Sequence, residues 1–85
     1  AAVAGTLEDF TRILTDAGRY DEAAEMIEQA IAMNVEIHGE QSLEVAACYE
    51  NKATLVQMSQ ADYAAAEELA RSAFEIRRAV SNLFE

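Results

Sequence analysis

Gly18-Arg19-Tyr20-Asp21-Glu22-Ala23-Ala24-Glu25-Met26-Ile27-Glu28-Gln29-Ala30-Ile31 is the stretch that decides the fold. Glycine tolerates the left-handed backbone that reverses a chain, and the acidic pair Asp21 and Glu22 suits the positive end of a helix dipole. Beyond the turn, Tyr20, Ala23, Ala24, Ile27, Ala30, Ile31 and Asn34 recur at the spacing of one helical face. The stretch has an echo in Ala61-Asp62-Tyr63-Ala64-Ala65-Ala66-Glu67-Glu68-Leu69-Ala70-Arg71-Ser72-Ala73-Phe74. Tyr20 and Tyr63, Ala23 and Ala66, Glu25 and Glu68, and Ala30 and Ala73 all stand at one offset of 43 residues. The chain is one helical hairpin written twice.

Working outward, the periodicity predicts an all-α fold with helices over about 2–17, 21–38, 43–59 and 62–81. Val3, Leu7, Phe10, Ile13, Leu14 and Ala17 form the expected buried face of the first. Gly5 weakens its opening turn, with Thr6 as an alternative N-cap. Met26, Met33 and Ile37 add a second apolar stripe to the second helix, as in a helix sandwiched between neighbours. That helix should end near Gly39, and the residue at the same place in the other copy is Asn82, which also enters left-handed caps readily. Ser42 is the expected N-cap of the third helix. Its buried set is Val45, Ala46, Tyr49, Ala53 and Val56, with Cys48, Leu55 and Met58 on an adjoining face. The fourth helix runs through Tyr63, Ala66, Leu69, Ala70, Ala73, Ile76, Arg77 and Val80 on its expected packing face, and Leu83 with Phe84 makes an apolar end. The expected units are 1–42 and 43–85, stacked as a short α-solenoid. A chain that starts without methionine, close to a repeat boundary, is expected to be a segment of a longer repeat protein.

Composition bounds the function. Sixteen acidic residues against six basic ones give a net charge of -10. Phosphate binding needs clustered Lys and Arg, so neither nucleic acid nor an anionic membrane surface is an expected partner. No apolar run is long enough to span a bilayer, no secretion signal opens the chain, and the single cysteine, Cys48, has no internal partner. An intracellular, cytoplasmic setting is the expectation. Catalysis has little to stand on: His38 is the only histidine, beside Gly39 at a helix end, and no paired cysteines or glycine-rich phosphate loop occur. No enzyme activity, catalytic residue, metal site or cofactor is expected.

Leu7, Phe10, Thr11, Leu14, Gly18, Tyr20, Ala23, Ile27 and Ala30 fall at the spacing of the tetratricopeptide repeat, a helix-turn-helix unit of about 34 residues, which the first unit resembles. In the second unit the same places hold Glu50, Ala53, Thr54, Gln57, Ala61, Tyr63, Ala66, Ala70 and Ala73. Glu50 and Gln57 depart from the apolar pattern, and Ala61 replaces the turn glycine. The longer period, with Ala65-Ala66-Glu67 and Phe74-Glu75-Ile76-Arg77, is similar to the kinesin light chain group of these repeats. Small residues let paired helices approach closely, and the tyrosine after each turn wedges against the next helix.

The resemblance implies an interaction module, adaptor or scaffold, whose first helices line a concave groove for a peptide or helix. The implied groove residues are Glu8, Asp9, Arg12, Thr15 and Asp16 from the first helix. Cys48, Asn51, Lys52, Leu55, Met58 and Ser59 come from the third. An Asn51 amide can donate to and accept from a peptide backbone at once. Glu8 and Asp9 stand where a clamp for acidic chain ends would need Lys or Asn, so neutral or basic protein segments are the expected partners. The alternative is an architectural segment that self-associates or docks with neighbouring repeats in a larger complex.

Overall fold

A computed structural model describes the backbone of residues 2–83 and the side chains from Asp9 to Leu83. Four helices follow one another: α1 (Ala2–Asp16), α2 (Tyr20–His38), α3 (Leu43–Gln60) and α4 (Tyr63–Asn82). They form two antiparallel hairpins, α1 with α2 and α3 with α4, and the second stacks on the first through α3. No strand occurs among the described residues.

Local chemistry fixes each reversal. At the first turn Gly18 takes a φ of 81°. Its N–H donates to the Thr15 carbonyl at 3.1 Å and the Arg19 N–H to that of Leu14 at 2.9 Å, a complete Schellman cap. The second turn does the same work without glycine. Ala61 occupies the left-handed region at φ 51° and ψ 30°, and its N–H donates to the Gln57 carbonyl at 3.1 Å. Asp62 then caps α4, its Oδ1 accepting from the Ala65 N–H at 3.0 Å. Between the hairpins Gly39 lies at φ 87° and ψ 164°, a region open essentially to glycine alone. Ser42 Oγ donates to the Gly39 carbonyl at 3.0 Å and accepts from the Val45 N–H at 3.2 Å, so one hydroxyl ties the loop to the cap of α3.

Among the described residues two apolar clusters hold the stack. Ala23, Ile27, Ala30, Cys48 and Leu55 join the hairpins, with Leu14, Tyr20 and Ile31 against them. Val45, Ala46, Ala73 and Ile76 join α3 to α4, flanked by Val35, Tyr49 and Val80. Alanine at these contacts brings backbones close, so apolar area is buried with few bulky side chains. Asn34 is buried too: its amide donates to the Ala30 carbonyl at 2.9 Å and to Cys48 Sγ at 3.3 Å.

The face of α1 differs from the expectation. Phe10 and Ile13 are 50% and 60% exposed and Ala17 is exposed, while Thr11 and Thr15 are buried; Val3 and Leu7 lie outside the residues whose side chains are described. Thr15 tolerates burial because its hydroxyl donates to the Thr11 carbonyl one turn back, at 2.7 Å. The helix also runs from Ala2 through Gly5, so Thr6 is not its N-cap. On α4, Tyr63 is 64% exposed and Ala70 is exposed, because α3 covers only the side that carries Ala66, Ala73 and Ile76. Leu83 is exposed, and Phe84 lies outside the described residues.

Candidate functional site

α1 and α3 run side by side as the first helices of their hairpins, and a groove of about 200 Å³ opens between them. Thr11, Arg12, Thr15, Asp16, Asn51 and Thr54 line it. The threonines alternate with the long side chains because positions four apart on a helix share a face. Thr54 Oγ1 donates to the Glu50 carbonyl at 3.2 Å, the same back-bonding seen at Thr15. The methyl groups of both residues are thereby left for contact. Arg12 is braced by Asp9 at 3.2 Å on the exposed side of α1.

Of the residues expected here, Arg12, Thr15, Asp16 and Asn51 come together, while Ser59 lines the hollow between α2 and α3 instead. Asp9 stands at the rim, bonded to Arg12. Glu8 lies outside the residues whose side chains are described. Met58 is 47% exposed, two turns beyond Asn51 on the same side of α3. Leu55 is a correction: at 5% exposure it is core between the hairpins, packed with Ile27, and offers no groove surface. Cys48 is corrected likewise, being fully buried. Lys52 points the other way, towards α2, where its Nζ meets Glu28 Oε2 at 2.7 Å. Thr11 and Thr54, which the groove uses, were not among the expected ligand contacts. Their signal was present at matched places in the two units, since the same hydroxyl residue recurs there.

A different hollow, of about 350 Å³, separates α2 from α3 near the turns. Tyr20, Ile27, Glu28, Lys52, Leu55 and Ser59 are among its walls. The Lys52 to Glu28 pair closes its side, so it belongs to the junction between hairpins. Among the described residues, the α1/α3 groove offers hydroxyls, one amide, one guanidinium and one carboxylate. That set recognises polar backbone and small side chains and contains no nucleophile with an adjacent base. No group of three or more His, Cys, Asp or Glu able to hold a metal ion occurs among the described residues. No described helix is long and apolar enough to cross a membrane.

The sequence pattern of the tetratricopeptide repeat matches residues 4–79, nearly the whole chain. Neither a search of curated proteins nor one of solved structures finds a match.

Proposed function

The chain belongs to the tetratricopeptide repeat family, and from that premise we propose that it is an interaction module that holds a peptide segment of another protein along the α1/α3 groove. The observation that carries this reading is the convergence of Arg12, Asp16 and Asn51, drawn from two helices, on one groove lined by small hydroxyl residues. Asn51 is half-buried, so its amide is partly fixed before a ligand arrives. It is the group we assign to the peptide backbone, where one side chain answers both a carbonyl and an N–H. The net charge of -10 supports neutral or basic segments over acidic ones. The paired units 1–42 and 43–85, the kinesin light chain-like register and a cytoplasmic setting accord with this reading.

A peptide library spanning basic, neutral and acidic sequences tests it. A saturable binder should come from the first two classes. Asn51→Ala should then weaken that binder by about tenfold, the scale of losing a buried hydrogen-bonding group, while leaving the unfolding midpoint nearly unchanged. Reversing Asp9 and Asp16 to lysine should weaken basic ligands at low salt. Equal affinity of wild type and Asn51→Ala would assign the ligand elsewhere.

A further inference from the structure

The junction between the hairpins is a template that the molecule holds only once. On α2, the face that carries Tyr20, Ile27, Glu28 and Asn34 receives α3. At the offset of 43 residues, the same face of α4 carries Tyr63, Ala70, Arg71 and Arg77. No described helix lies on it: Tyr63 and Phe74 are more than 60% exposed, and an open hollow of about 360 Å³ lies between α3 and α4 beside Tyr63 and Ala70.

We infer that this face takes α1 of a second copy of the chain, stacked head to tail. The two sides change in compensating ways when the internal junction is shifted by one unit. Glu28 on α2 pairs with Lys52 on α3 at 2.7 Å. The shifted positions are Arg71 and Asp9, so the signs are exchanged and attraction is kept. Asn34 meets Cys48 at 3.3 Å, and the shifted positions are Arg77 and Gly5, a longer side chain opposite a residue with none. Ile27 and Leu55 share one cluster, and the shifted positions are Ala70 and Arg12, a smaller residue opposite a longer one. The Arg12 stem then lies over the alanine, with its guanidinium beside the exposed ring of Tyr63.

Neither side must break a strong contact to associate. Among the described residues Arg71 pairs with Glu67 at 3.5 Å and Asp9 with Arg12 at 3.2 Å, with all four side chains more than 60% exposed. Arg77 keeps its partner Glu50, at 2.6 Å, while filling the place of Asn34. Such a contact uses different surfaces on the two copies, so it does not close into a dimer and extends by repetition. The stack shares Arg12 with the α1/α3 groove but needs no ligand there, and association is measured without peptide.

Sedimentation equilibrium of the 85-residue chain at concentrations up to about 1 mM, a range that reaches weak self-affinities, tests the stack. The average mass should rise with concentration and pass that of a dimer. Asp9→Arg and Arg71→Asp should each shift the curve to about five- to tenfold higher concentration, and the double variant should return towards wild type. Both positions are exposed, so circular dichroism should show each variant folded. A monomer throughout, a plateau at the dimer, or a double variant no better than the singles would overturn the assignment.

Discussion

α2 and α4 carry matching positions in unlike surroundings. On α2, Ile27 is sealed under α3 and Tyr20 packs at the edge of the same cluster. On α4, the matching Ala70 and Tyr63 face outward. In a linear stack each unit touches only its neighbours, so a side chain's energetic weight depends on whether a neighbour is present. Sequence position within the unit says little about it.

The largest way to break this comparison is at Ile27. Ile27→Ala should cost about 3 kcal/mol by urea denaturation, because it removes apolar contacts from both hairpins and leaves a cavity. For a chain of this size that is a large share of the total stability. Ala70→Ile, the matching change on α4, should move the same measurement by no more than about 0.5 kcal/mol at low protein concentration. A loss at Ala70 as large as that at Ile27 would mean that α4 is covered from within the chain.

The two turns sharpen the comparison at a smaller scale, with opposite signs. Gly18→Ala should destabilise by about 1 kcal/mol, since a Cβ in the left-handed region is strained although space around it is open. Ala61→Gly should stabilise by a similar or smaller amount, because Ala61 already bears that strain at φ 51°. Thermal unfolding of both variants checks this, and the signs matter more than the sizes.

These contrasts also mark how much the sequence made legible. Turns, caps and helix ends depend on near neighbours, so Gly18, Gly39 and Ser42 announced them, and the helix bounds came within about one residue. The constant offset carried the repeated hairpin, because Ala23 and Ala66, and Ala30 and Ala73, are buried in both units. The sides of α1 and α3 were harder to read. α1 has an apolar stripe and a hydroxyl stripe, and periodicity does not show that Thr15 satisfies itself on the Thr11 carbonyl and can go inside. α3 packs against all three other helices, so it has no single polar face. Leu55 and Cys48 were therefore placed in the groove when they belong to the core, and Lys52 was given a ligand when it holds Glu28. Asn34 was expected on the buried face, but its bond to Cys48, 14 residues away, is a tertiary fact.

The smallest contrast lies in the two ion pairs that bridge different helices among the described residues. Lys52 to Glu28 spans the hairpins at 2.7 Å, and Arg77 to Glu50 spans α3 and α4 at 2.6 Å. Glu50 stands where the first unit has Leu7, and Arg77 where it has Asn34, so a departure from the apolar pattern in one helix is answered by a charge on its neighbour. All four side chains keep substantial water contact, which limits each coupling to about 0.2–1 kcal/mol. Double-mutant cycles with alanine should place both within that range, with the Lys52 pair the stronger, because Lys52 is the least exposed of the four at 31%. Raising the salt to about 1 M should shrink both couplings, since screening acts within a few ångströms at that strength. The two pairs should lose similar fractions, their ends being 31% and 59% exposed at Lys52 and Glu28 and 42% and 50% at Arg77 and Glu50. A coupling at Arg77 that survives high salt better than that at Lys52 would show that α3 and α4 shield their pair more than the junction shields its own.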